Sequence, residues 1–355
     1  MTVFTSSYAH SDNRNVKKEA KIHLSGPEKA ALWAVTWLAV ISVLHFWLNG
    51  QPCPDAPEGD RGRHKTKVAF LPITCHLLLP VALERDSSFS SRVEAVKFSS
   101  WPDMIEAFKG GELDAAMILA PIAISMRAQG VPLRIALYGH RNGTALVMAD
   151  SISGPEGLIG KSVAIPIRFS TQNLALLELL ERRGINPESM DIVELPPPDM
   201  PSALAAGAIA AYIVGEPYAA QAELSGVGYR YCEADAIFEE FISSLLIVSE
   251  RFLEQEPEKA RWLIRTLYAQ GAWIEGHRKE AAKIGARAYG LSERLLIHVL
   301  TSSSERVRYR NLIPGAEEIR ALEGAMERRG LLSDKAPDPE RIIYTGWMEE
   351  QEDRP

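Results

Sequence analysis

Two stretches of this chain share one pattern. Residues 104–121 read as a helix, a Gly110-Gly111 stop, an apolar run over 115–119, and a new helix opened at Pro121. Residues 200–217 repeat it, with a stop at Gly207, an apolar run over 211–214 and a helix opened beside Glu216 and Pro217. A short apolar run between two helices is a buried strand, and strands that alternate with helices build parallel sheets. One such unit used once per lobe constrains the chain to an α/β architecture of two similar lobes.

The first lobe opens at residues 67–71, a buried strand that Pro72 ends because it has no N–H for the ladder. Thr74 reads as the N-cap of a helix through Leu77, Leu78, Val81 and Leu83, with His76 in its first turn. Ser99 or Ser100 caps the next helix, which has Trp101 and Pro102 in its first turn, and Pro121 opens another. A strand over 133–138 delivers Gly139-His140-Arg141-Asn142-Gly143 to its carboxyl end, and residues 144–148 read as a crossing strand. In the second lobe, Arg168-Phe169-Ser170-Thr171-Gln172 forms a strand-to-helix turn, and Asp199 and Glu216 open further helices.

In open α/β sheets these helix N-termini face one edge, where ligands bind. Two lobes meeting there line a cleft with N–H groups and positive dipole ends. Thr74, His76, His140, Arg141, Gly143, Arg168, Ser170, Thr171 and Gln172 all fall on or beside such turns, which points to a site for an anion or another small polar molecule. Taken singly, His140 and Arg141 read equally well as solvated loop residues, and Arg168 as the partner of Glu194 or Glu216. Chemistry leaves no comparable trace. No nucleophile elbow, zinc-protease, phosphate-loop or dinucleotide motif is present, and the expectation is no catalytic residue, no metal and no cofactor.

The net charge of −7 over 355 residues argues against a nucleic-acid partner. Residues 1–29 are polar and are expected to be disordered. Residues 30–48 contain no Asp, Glu, Lys or Arg, which is long enough for a helical membrane span. The modest excess of Lys and Arg before the run favours an inside N-terminus, with the bulk of the chain outside. Small residues at a cleavage site are missing, and Gly50-Gln51-Pro52 before Cys53 is a poor lipidation signal, so an uncleaved anchor is expected. Residues 49–66, rich in Pro, Gly, Asp and Arg, then form a tether. Cys53, Cys75 and Cys232 lack metal-like spacing; a Cys75–Cys232 disulfide and small buried thiols are both open.

Ser100-Trp101, Gly111-Glu-Leu-Asp114-Ala115, Leu119-Ala120-Pro121 and above all Gly215-Glu216-Pro217-Tyr218-Ala219-Ala220-Gln221 carry a family resemblance. Residues 67–275 resemble the solute-binding proteins of nitrate/sulfonate/bicarbonate-type ABC transporters, which are related to thiamine-precursor binders. The resemblance implies a periplasmic-binding-protein-like fold of type II. Residues 67–149 and 243–355 would make one lobe and residues 150–242 the other, with the ligand between them. It implies a small anionic solute and an ABC permease as partner; the expected anchor, a departure from the family, adds a place on the outer face of the cytoplasmic membrane, and a monomer is expected. The family's ligand-contacting Trp maps to Trp101, while its second-lobe His falls at Gln172, a departure that bears on nitrate and bicarbonate. The alternatives are an enzyme of thiamine-precursor or menaquinone type on the same fold, and a tethered sensor.

Overall fold

The computed structural model describes residues 26–49, 65–238, 241–332 and 338–348. The chain divides into two units, Met1–Arg63 and His64–Pro355. In the first, the charge-free run is helical, as expected: α1 spans Gly26–Asn49. Trp33 and Trp37 are exposed on it, with Val35, Leu38, Val40 and Ile41. Among the described residues no helix is long and apolar enough to cross a membrane, so the spanning reading of residues 30–48 gains no support from the structure. Most of the expected disordered segment and tether, Cys53 included, lies outside the described residues.

The second unit begins with β1 (Thr66–Phe70), followed by α2 (Leu78–Arg85), α3 (Ser87–Arg92) and β2 (Val93–Lys97). Asp86 starts α3 by accepting from the Ser88 and Phe89 N–H groups. Next come α4 (Trp101–Lys109), β3 (Ala115–Leu119), α5 (Ala120–Ala128) and β4 (Leu133–Tyr138). The short β5 (Arg141–Asn142) precedes β6 (Thr144–Met148), β7 (Ser162–Ile165), α6 (Thr171–Arg182), β8 (Asp191–Glu194), α7 (Met200–Ala205), β9 (Ala211–Gly215), α8 (Tyr218–Ser225) and β10 (Tyr229–Glu233). The chain then returns through β11 (Ser244–Ser249) into α9 (Glu250–Gln255), α10 (Pro257–Gly276), α11 (Arg278–Tyr289) and α12 (Glu293–Thr301). It closes with β12 (Val307–Arg308), α13 (Ala316–Arg328) and α14 (Pro339–Ile342).

The strands form two five-stranded sheets of equivalent order, β2-β1-β3-β11-β4 and β8-β7-β9-β6-β10. In each, the fourth strand runs antiparallel and comes from the other part of the chain: β11 pairs with β3 and β4, and β6 with β9 and β10. The chain crosses between sheets after Tyr138 and again after Glu233. Residues 144–148 therefore belong to the second sheet rather than ending the first. The repeat seen in the sequence is α4-β3-α5 against α7-β9-α8. Its two glycine stops adopt the same left-handed conformation, Gly111 at φ +75° and Gly207 at φ +70°, which suits a residue without Cβ.

The apolar side chains follow the period of two. Ala145 and Val147 of β6 and Tyr212 and Val214 of β9 join the large core that also packs the first sheet. Leu146, Met148, Ala211 and Ile213 face the other way into a smaller core beneath α6. The tail extends the first sheet: Tyr344 N–H donates to Ile135 O at 2.8 Å, and Arg265 holds Trp347 O at 2.5 Å.

Candidate site between the two sheets

The carboxyl-end loops of both sheets and the two crossings meet at one edge, and three features of the sequence bring them together. Gly139 packs against the turn after β1: a Cβ there would lie 2.2 Å from Cys75 O. Thr74 does not cap a helix. Residues Thr74–His76 form a 3-10 turn, and α2 starts later, at Leu78. The Thr74 N–H and hydroxyl both donate to Glu216 O, each at 3.0 Å, which ties the turn after β1 to the turn after β9. Tyr218 OH adds a bond to Pro72 O at 3.1 Å.

Ser243, just before β11, is the second junction. Its carbonyl accepts from Ala120 N at 3.1 Å, at the start of α5 where Pro121 is buried. Its hydroxyl accepts from Gln172 Nε2 at 3.1 Å, and Thr171 Oγ1 donates to Ile242 O at 2.6 Å. Ser170 caps α6, accepting from Asn173 N–H at 3.1 Å and donating to Ile167 O at 2.6 Å. Cys75 and Cys232 are free thiols, so the disulfide alternative is corrected, and burial pushes the Cys75 thiol up to about 12.

Both histidines are buried and neutral. Burial holds His76 at about 3, and His140 at about 3 as well. His76 Nδ1 accepts from Leu71 N–H at 2.7 Å, so the proton sits on Nε2, which donates to Ser244 Oγ at 3.1 Å. Both His76 ring nitrogens are thus engaged in the protein. Its ring meets Trp101 edge-on, with centroids 5.8 Å apart. His140 Nε2 lies 3.1 Å from Thr74 Oγ1, and Gly143, at φ +73°, lets the ring in, since a Cβ would stand 2.9 Å from it.

The charged candidates fall elsewhere. Arg141 makes a two-armed ion pair with Glu318 at the start of α13. Arg168 is exposed; its main chain, rather than its guanidinium, meets Glu194, through its N–H at 2.5 Å. Glu216 is fully buried and pairs with Arg230 and Arg306. In this structure the Arg141 and Glu216 charges are thus met by protein partners, and the Arg168 side chain lies at the exposed rim.

What remains is a set of buried polar atoms with no partner in the protein. Trp101 Nε1, His140 Nδ1 and Gln172 Oε1 belong to it, and all three side chains were expected at the site. Thr144 Oγ1 at the start of β6 and Tyr289 OH at the end of α11 also belong to it and were missed. Ser243 was missed too. Two serines before an apolar strand carry no spacing signal, and only the return of β11 into the first sheet brings them here. Among the described residues no group of His, Cys, Asp or Glu is arranged to hold a metal. A surface cavity of about 620 Å³ lined by Ser151, Lys161 and Gly207 lies at the opposite edge of the second sheet, away from this network.

A profile of the NMT1-like family matches residues 59–289. The chain belongs to the NMT1-like family. Among curated proteins similar to this NMT1-like chain is the nitrate/nitrite binding protein NrtA of Nostoc sp., 25% identical over 62% of this chain and 56% of that protein. Another is the taurine-binding periplasmic protein of Escherichia coli, 30% identical over 49% of this chain and 56% of that protein. The chain thus spans little more than half the length of these relatives. The ligand-binding component of an ABC-type import system from Staphylococcus aureus superposes with a TM-score of 0.72 at 23% identity, covering 80% of this chain and 97% of that one. That likeness establishes the fold, a periplasmic-binding-protein-like α/β architecture.

Proposed function

We propose that this NMT1-like protein is an extracytoplasmic solute-binding protein that captures a small anionic or anion-bearing solute and delivers it to an ABC permease. One observation carries the reading. Trp101 and Gln172, in the first turns of α4 and α6, and His140, on the first crossing between the sheets, each hold a polar atom in the interior with no partner in the protein. A buried polar atom without a partner costs about 1–3 kcal/mol, and a ligand that pairs it recovers that cost. The relatives named above bind nitrate or taurine by their names, which supports the same class here. Binding requires no chemistry; closure of the lobe built on the first sheet against the lobe built on the second, which includes residues 144–148, sequesters the solute and offers a closed form to the permease.

The protein works as a monomer at the outer face of the cytoplasmic membrane, and α1, with its exposed Trp33 and Trp37, is proposed as its anchor. Calorimetry of the full chain with nitrate, sulfonates and taurine tests the function. Saturable one-to-one binding that Trp101→Ala removes is expected, and the reading fails if no member of that panel binds. Recovery of the intact protein in the soluble rather than the membrane fraction would remove the anchor alone.

A further inference from the structure

Each sheet sends one turn across to the other. β1 and β7 hold the same place in their sheets, second in β2-β1-β3-β11-β4 and in β8-β7-β9-β6-β10. The turn after β1 brings Thr74 to the end of β9, where its N–H and hydroxyl both donate to Glu216 O at 3.0 Å. The turn after β7 brings Thr171 to the residues that lead into β11. There its hydroxyl donates to Ile242 O at 2.6 Å, and Gln172 Nε2 donates to Ser243 Oγ at 3.1 Å. Both receiving segments are pinned beside a crossing. Glu216 N–H donates to Gly143 O, just before β6, at 2.8 Å, and Ser243 O, just before β11, accepts from Ala120 N–H at 3.1 Å. Tyr218 OH, beyond β9, adds the bond to Pro72 O, beyond β1. Thr74, Thr171 and Glu216 are fully buried, so water does not compete for these bonds.

We infer that Thr74 and Thr171 form a reciprocal clasp: two hydroxyls that hold the lobe built on the first sheet against the lobe built on the second and set how often the two part. The bonds at Gly143 O and Ser243 O run beside the crossings and stay with the hinge. Those of Thr74 and Thr171 join residues 142 and 71 positions apart in the chain, so they exist only while the lobes are pressed together, and parting breaks them. A bond made in one of two arrangements lowers the population of the other by its own free energy. A threonine that only filled space would be replaced by valine without moving that balance. The clasp is a property of the two lobes themselves; only its consequence, control of solute entry, rests on the binding-protein reading.

The test is single-molecule energy transfer in the full chain, with no solute added. Dyes go on Ser88→Cys in α3 and Glu188→Cys between α6 and β8, both exposed, with Cys53 and Cys232 replaced by Ser and the buried Cys75 left in place. Thr74→Val and Thr171→Val keep the shape and remove the hydroxyl. Each should raise the population of parted lobes about two- to tenfold, the reach of one hydrogen bond, and the pair together should raise it further. Thr74→Ser and Thr171→Ser keep the hydroxyl and should match the parent. Thr74 Oγ1 also lies 3.1 Å from His140 Nε2, so Thr171→Val is the arm free of that second contact. Tyr218→Phe keeps the ring and removes the bond to Pro72 O, and it should shift the population in the same direction if a valine variant fails to fold. No shift in the folded variants, a shift in only one of the two valine variants, or serine variants that part as readily as the valine ones overturns the clasp. None of these results touches the solute-binding reading, which calorimetry tests separately.

Discussion

Arg141 grips Glu318 with both terminal guanidinium nitrogens, and Tyr138 OH donates to the same carboxylate at 2.6 Å. Burial raises the Glu318 carboxyl, but the hydrogen bonds from Arg141 and Tyr138 outweigh it and hold it below the usual range. The cluster fastens α13 to the crossing between the two sheets, so Arg141 braces the site from behind. Arg141→Ala should lower stability by about 1–3 kcal/mol, the cost of losing charge-assisted hydrogen bonds in a half-buried pair. Ligand affinity should change less than about threefold. Thermal melting and calorimetry on the same preparation check this; a large loss of affinity at unchanged melting temperature would return Arg141 to the ligand.

Trp101 separates packing from hydrogen bonding. Its ring packs edge-on against His76, while its N–H has no protein partner. Trp101→Phe keeps most of the apolar contact and removes the donor, and should weaken binding by about 1 kcal/mol with little change in stability. Trp101→Ala should lose more binding and also cost stability, on the scale of about 3–5 kcal/mol for a buried Trp. A Phe variant that binds like wild type would assign the indole to the core alone.

The alternation of helix and strand, the stops at Gly111 and Gly207, and the caps at Ser100 and Ser170 were legible because each is a local property: a period, a positive φ, a side-chain oxygen near its own helix. Trp101 and Gln172 fall in the first turns of the helices that those caps start, where the family resemblance had pointed. Thr74 misled. A Thr before an apolar run looks like a cap, and only the distant Glu216 carbonyl explains why its hydroxyl turns away. The cations misled more. Nothing local told that Arg141 would meet Glu318, 177 residues away, or that the two histidines would be buried deeply enough to stay neutral.

That neutrality has a pH signature. His76 and His140 fall to about 3 in the folded protein, against about 6.5 unfolded. Between those values the unfolded chain binds more protons, so stability is full above about pH 6.5 and is lost as pH falls toward 3. Denaturant unfolding from pH 7 to 4 should show this decline, and His140→Gln should make it shallower. Ligand affinity from pH 6.5 to 8 should stay flat if the solute itself does not titrate there. A rise in affinity on acidification, following one group near 6.5, would require a protonated histidine in the site and contradict the buried neutral pair.

Glu216 joins the site to a second charged cluster. It is fully buried, its carboxylate pairs with Arg230 and Arg306 and accepts from Ala220 N–H at 2.9 Å, and its carbonyl holds Thr74. Arg230 also meets Glu223 and Glu233, and Arg306 also meets Glu223, so both would keep a partner if Glu216 were neutral. Removing one partner of a buried pair costs about 3–5 kcal/mol, and these remaining carboxylates should hold Glu216→Gln at the low end. Because the Thr74 bonds go to the main chain, they survive the substitution. Glu216→Gln should therefore destabilise the protein strongly at neutral pH and leave the affinity of the folded fraction nearly unchanged. Denaturant melts with and without saturating ligand would measure both quantities. A variant of ordinary stability that fails to bind would instead make the Glu216 carboxylate a ligand contact.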